Sequence, residues 1–211
     1  MLAMAGLPMA FAAALYGLQT QVTLLPKESV LILPAAGLAG NAATQVSRLL
    51  GGRPVVGVEY ASGVDRVAAH YKLPLEQVIP ISSIEQSRSM SSGMMQYDVV
   101  FSSGWVNQTT APGAWRYLAP IGRFIDCGRK NVLTRTILDT IPIHRGASYL
   151  AFDILDLKEH RPKILEDLMK TIAQLYNNRQ ILPLSPRTGK STRCVQTGTY
   201  SCGYGPSGKA F

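Results

Sequence analysis

Residues Ala35-Ala36-Gly37-Leu38-Ala39-Gly40 have the form A-x-G-x-x-G. The segment follows the β-rich run Ser29–Leu33 (SVLIL) and leads into Asn41–Leu50, where Ala43, Val46 and Leu50 recur at helical spacing. Small residues in this pattern suit the binding of a diphosphate. Ala35 permits a tight turn, Gly37 lets backbone N–H groups come close to the phosphates, and Gly40 allows the helix to pack against the strand. Leu38 and Ala39 complete the turn, and the start of the helix adds the positive end of its dipole. Glu59 lies nineteen residues past Gly40, where an acid can accept hydrogen bonds from a ribose. A carboxylate there favours the free 2′-hydroxyl of NADH and repels the 2′-phosphate of NADPH. Ser62 and Arg66, just beyond, are the groups able to meet a phosphate. The competing reading is a packing turn without a ligand, with Glu59 a solvated surface acid.

These residues need a scaffold, and the chain supplies one by alternation. Further short apolar runs occur at Pro54–Val58, Val78–Ile81, Asp98–Ser102, Arg123–Cys127 and Ala147–Asp153. Helical patterns occupy Val64–Tyr71, the vicinity of Ala114–Leu118, and Pro162–Tyr176, where Ile164, Leu168 and Ile172 share one face. Continuous apolar strands separated by helices imply a parallel sheet covered on both faces. Right-handed crossovers then give an α/β, doubly wound, Rossmann-like fold. The pattern divides the chain into a leading apolar helix (1–24), a dinucleotide-binding domain (25–184) and an irregular basic tail (185–211).

Composition narrows the alternatives. The chain has 211 residues, 46% hydrophobic and 16% charged, enough for one domain with a sizeable core. Its net charge is +8, and Arg187, Lys190, Arg193 and Lys209 place four positive charges in a tail without acids. No basic face interleaved with aromatics is evident, which argues against nucleic-acid binding. Residues 1–18 carry no charge but are mostly alanine with Gly6, Pro8 and Gly17. They lack both a basic leader segment and the length of apolar residues a membrane span needs, so they are expected to form a buried or interface helix from about Met9 to Leu18. Cys127, Cys194 and Cys202 form no CxxC pair and no zinc spacing, which fits reduced thiols in a cytoplasmic setting without a metal site. His70, His144 and His160 are scattered, with no nucleophile context, and Gly189-Lys190-Ser191 lacks the first glycine of a phosphate loop.

Residues Leu118–Lys130 (LAPIGRFIDCGRK) resemble the "LAPxGRFxxxGK" signature of polyketide synthase and fatty acid synthase enoyl reductases, members of the medium-chain dehydrogenase/reductase superfamily. Other stretches agree in order. Ser29–Ala43 is similar to "SVLIHAAxGGVGQAA", Tyr97–Ser103 to "VDVVLNS", Ile154–Pro162 to the "DLL…HRP" segment, and Val195–Gly198 to the family's last helix. The resemblance runs from about Leu7 to Gly198 and is strongest with the fungal highly reducing polyketide synthases.

The resemblance implies NADPH as hydride donor to an enoyl thioester carried on an acyl carrier protein. It adds Tyr60, Ser102, Ser103 and Gly128 to the cofactor-binding set. It also implies a lysine proton donor paired with an aspartate on the following strand. Arg129 stands in the lysine's place, Lys130 is its neighbour, and the aspartate falls on Asp153. Arginine stays charged and is a poor proton donor, though it can hold an enolate oxygen; Lys130 can donate a proton, and can equally be a surface lysine. Leu38 replaces a glycine of the family pattern and is expected to crowd the diphosphate. Gly63 and Val64 stand where basic residues are frequent, and Thr199–Pro206 replaces the strand after the last helix. The substrate-binding half that precedes the position of Leu7 in the family has no counterpart in this sequence. Residues 1–18 are therefore expected to expose apolar surface to a synthase partner or a second copy. Two functions remain open: a reductase of polyketide (secondary metabolite or toxin) biosynthesis, or an inactive cofactor-binding remnant acting through contacts with a synthase. A quinone-reductase-like enzyme of the same superfamily is a third.

Overall fold

The computed structural model describes residues 7–86, 95–103, 110–129 and 139–184. Six strands form one sheet: β1 (Ser29–Leu33), β2 (Arg53–Val58), β3 (Val78–Pro80), β4 (Tyr97–Ser102), β5 (Leu118–Cys127) and β6 (Ser148–Phe152). Their order is β3-β2-β1-β4-β5-β6, and every neighbouring pair is parallel. The chain thus starts at the middle of the sheet, winds outward through β2 and β3, crosses back, and winds outward again through β4 to β6. This is the doubly wound arrangement that alternating apolar runs and helices require.

The helices are α1 (Leu7–Leu15), α2 (Leu38–Leu49), α3 (Val64–Tyr71), α4 (Ile81–Gln86), α5 (Thr110–Arg116), α6 (Ile141–His144), α7 (Ile154–His160) and α8 (Pro162–Asn177). Alternate strand residues face opposite sides of a sheet. Val30, Ile32, Val99, Phe101 and Ile125 pack into one apolar cluster with α1, α2, α3, α7 and α8. Leu31, Leu33, Val100 and Phe124 pack into another with α4 and α5.

The leading helix takes the buried one of its two expected forms. Phe11, Ala12, Ala14, Leu15 and Leu18 are buried, as are Ala10 and Ala13. A π-helical turn, Tyr16–Gln21, continues the helix, and Gln19 and Thr20 are its exposed residues. Alanine adds little width, so α1 fits between α2 and α8 and lies in the core. The expected apolar docking surface is therefore corrected for Ala10–Leu18. From Ala10 to Leu18 the apolar side chains are spent on the chain's own core, and residues 1–6 lie outside the described set.

Several boundaries also move. Helix α2 begins at Leu38 rather than Asn41, because Gly37 ends the turn sooner than the glycines suggest. Strand β5 starts at Leu118, five residues before the expected Arg123, with an irregularity in its pairing between Tyr97 and Val99 of β4. The tail from Ser185, with Cys194, Cys202 and the Val195–Gly198 and Thr199–Pro206 segments, lies outside the described residues, as does Lys130. Among the described residues no helix is long and apolar enough to cross a membrane, and no group of His, Cys, Asp and Glu is placed to hold a metal ion.

Candidate functional site

The A-x-G-x-x-G segment forms the bend from β1 into α2. Gly37 is the residue before the helix, at φ −86° and ψ 171°, and no side chain caps the helix start. An uncapped first turn leaves the dipole's positive end for a ligand to meet. A Cβ on Gly37 would have no atom within 4 Å, so the space beside it is open. Gly40 is the opposite case. A Cβ there would lie 2.1 Å from the Pro34 carbonyl oxygen and 2.9 Å from Ala35 Cα. Only glycine lets α2 approach the strand end this closely, the packing expected of the third small residue. Leu38 is exposed on the first turn, and Ala39 is half-buried beside it.

Ala35 is buried and held from two sides. Its N–H donates to the Gly57 carbonyl on β2 at 2.9 Å, and its carbonyl accepts from the Tyr71 hydroxyl at 2.5 Å. Burial pushes the Tyr71 phenol above its ordinary range, so it remains a donor. Ser103 ties the end of β4 to β1: its N–H and hydroxyl both donate to the Leu33 carbonyl, at 2.8 and 3.2 Å. Ser102 is fully buried and its hydroxyl has no hydrogen-bond partner among the described residues.

The connections after β1 and β4 run to opposite sides of the sheet, and the carboxyl ends of strands at such a switch point are where doubly wound folds bind ligands. Glu59, Tyr60 and Ser62 follow β2 at the same edge and are exposed, and Arg66 is exposed on α3. The turn, the serine pair and the ribose-side residues thus share one edge. Open space at Gly37, the uncapped helix and the unpaired Ser102 hydroxyl fit a dinucleotide with an anionic centre.

Of the residues proposed for proton handling, Arg129 and Asp153 are bonded to other groups, and Lys130 lies outside the described residues. Gly128 and Arg129 follow β5 with left-handed backbones, φ 89° and 54°, and the Gly128 N–H donates to the Phe152 carbonyl at 2.7 Å. The Arg129 guanidinium grips Asp156 with two contacts, 2.8 and 3.2 Å. Asp153 instead caps α7, accepting from the Leu155 N–H at 3.0 Å. A short acid just before a helix finds its nearest donor two residues on, which removes Asp153 from the arginine. The acid spacing Asp153…Asp156 is itself a helix-start signal, one that points to the second acid as well as the first.

Asp126, at the carboxyl end of β5, was not among the expected site residues. It is fully buried, accepts from the Tyr149 hydroxyl at 2.9 Å, and stands level with Ser102 on β4. In the sequence it stands inside the apolar run Arg123–Cys127, with nothing in that pattern to mark it.

No protein-family model matches the chain. A reducing polyketide synthase of Fusarium langsethiae, DEP5, is 36% identical over 175 residues, covering 83% of this chain and 7% of that protein. Of solved structures, the CurF ER cyclopropanase of the curacin A biosynthetic pathway superposes with TM-score 0.71 at 26% identity, over 88% of this chain and 54% of that one. The nucleotide-binding subdomain of the enoylreductase domain of PpsC from Mycobacterium tuberculosis has TM-score 0.67 at 24% identity, over 85% of this chain and 99% of that subdomain. The chain belongs with the fungal reducing polyketide synthases and has the medium-chain dehydrogenase/reductase fold of the nucleotide-binding half of a polyketide synthase enoyl reductase domain.

Proposed function

We propose that the chain binds a reduced nicotinamide dinucleotide across the carboxyl ends of β1, β2 and β4 and serves the reduction of an enoyl thioester borne on an acyl carrier protein in polyketide biosynthesis. The bend at residues 35–40 carries this reading, because it combines a glycine-enforced approach with an uncapped helix start. Family likeness favours NADPH, whereas Glu59 favours NADH. The setting proposed is the cytoplasm, beside or within a synthase.

When bound, the nicotinamide supplies a hydride; the chain's residues supply position and charge. The α2 start and the turn amides hold the diphosphate. The ends of β2 and α3, through Glu59, Tyr60, Ser62 and Arg66, meet the adenosine ribose. Ser102 and Ser103, with Gly128, line the nicotinamide side. Arg129, anchored by Asp156, offers a fixed positive charge to an enolate oxygen. Lys130 is the proposed proton donor to Cα, with Asp153 as its proposed carboxylate partner.

The test is a fluorescence titration of the full chain with NADPH and NADH, followed by NADPH consumption with a crotonyl thioester. Saturable binding and turnover that falls in Lys130→Ala support the reading. Absence of binding to either nucleotide overturns it. Binding without turnover leaves a cofactor-binding remnant, the second reading, which the arginine in the lysine's place favours.

A further inference from the structure

We infer that Tyr71 is a positioning residue of the diphosphate turn: its hydroxyl, delivered by α3, holds the Ala35 carbonyl away from the crevice so that the turn presents donors rather than an acceptor to an anion. The inference rests on the proposed dinucleotide site and names a group that the A-x-G-x-x-G pattern does not contain.

The geometry is specific. Ala35 opens the turn, and its carbonyl oxygen accepts from the Tyr71 hydroxyl at 2.5 Å across a separation of 36 residues. The Ala35 N–H is held on the other side by Gly57 of β2. With both groups of Ala35 engaged, the peptide that follows cannot rotate without breaking a buried hydrogen bond. A carbonyl oxygen carries partial negative charge, and one turned toward a diphosphate would repel it. Tyr71 removes that orientation from the turn's choices.

Two neighbours reinforce the contact. Tyr71 is the last residue of α3, and its ring meets the His70 ring edge to face, 4.8 Å between centroids. The His70 Nε2 lies 3.3 Å from Asn41 Nδ2, in the first turn of α2. Asn41 is in turn bonded to Gln45, one turn further on. The end of α3 therefore touches both the turn and the first turn of the helix that follows it. Tyr71 is also almost fully buried, so its hydroxyl has no solvent alternative to Ala35.

The experiment compares Tyr71→Phe with the parent chain in binding ADP and adenosine, with thermal unfolding measured alongside. Removing the hydroxyl keeps the ring and its packing. The expected result is a 3- to 10-fold weaker affinity for ADP, roughly the loss of one hydrogen bond's orienting effect, with adenosine binding unchanged because adenosine has no phosphate. Tyr71→Leu serves as the second variant, with the same expected pattern. Unchanged ADP affinity, or equal weakening of ADP and adenosine, overturns the inference; the second pattern is that of a residue supporting the fold in general. A parent chain that binds ADP while the variants match it refutes only the role of Tyr71. A parent chain that binds neither ADP nor a nicotinamide dinucleotide refutes the proposed function and this inference together.

Discussion

Replacing Gly40 and Gly37 singly by alanine separates packing from ligand approach. At Gly40 the new methyl would lie 2.1 Å from the Pro34 carbonyl oxygen, 2.9 Å from Ala35 Cα and 3.0 Å from the Ala35 carbonyl carbon. All three are backbone atoms, so no side chain can swing aside, and α2 must move off β1 by more than an ångström to reach ordinary contact. Overpacking of this kind costs about 1–3 kcal/mol, offset by up to about 1 kcal/mol from alanine's better helix propensity. The net expectation is a loss of about 1–2 kcal/mol, which in a chain of this size lowers the melting temperature by about 2–8 °C. At Gly37 the methyl meets nothing within 4 Å, and φ −86° suits any residue. Gly37→Ala should melt within about 1 °C of the parent, yet bind dinucleotide more weakly, because the methyl occupies the open space beside the turn. Thermal unfolding by circular dichroism and titration with NADPH measure the two quantities. A Gly40→Ala variant as stable as the parent, or a Gly37→Ala variant that binds as tightly, would refute the reasoning.

Other outcomes follow from the same contacts. Glu59→Gln removes the charge that opposes a 2′-phosphate, so the ratio of NADPH to NADH affinity should rise severalfold; an unchanged ratio in paired titrations would show that Glu59 does not meet the ribose. Asp153→Ala deletes the α7 cap and should cost about 1 kcal/mol in chemical denaturation, whereas Asp153→Asn, which can still accept from Leu155, should cost less. Burial, with a contribution from the neighbouring Tyr117, pushes the Tyr97 phenol up to about 12. The folded state then keeps a proton that the unfolded chain gives up near pH 10. Stability from this source is intact below about pH 10 and falls between pH 10 and about 12, and denaturant midpoints across that range should fall less steeply in Tyr97→Phe.

Much of the scaffold is written locally. Ser29–Leu33 is a β-branched and aliphatic run bounded by a charged turn and small residues, and it forms β1 with those limits. Val64–Tyr71 likewise shows its apolar positions at helical spacing and forms α3. Where local and tertiary forces diverge, the reading fails in identifiable ways. Pro120 and Gly122 disguise the first half of β5, where Leu118 alone pairs with β4 before an irregularity and regular pairing resumes at Arg123. Helix α7 is mostly charged on the outside and lay hidden as polar sequence. Residues 1–18 are expected to turn apolar surface outward only because the resemblance places another half beside them; their own alanine-rich sequence also allows the buried helix that α1 forms. At the site, the glycine turn was visible because its residue types are forced by backbone geometry. The Tyr71–Ala35, Arg129–Asp156 and Tyr149–Asp126 contacts were not, because each joins residues at least 23 apart through side chains whose types have many other uses.

The central claim is that the amides at the β1–α2 bend take the diphosphate of a nicotinamide dinucleotide. Amide NMR of the labelled chain during an NADPH titration tests it most directly. The account predicts saturable shifts at Gly37, Leu38, Ala39 and Gly40, with smaller ones at Ser102 and Ser103. Amides at that bend that stay unmoved at millimolar NADPH and NADH would contradict it.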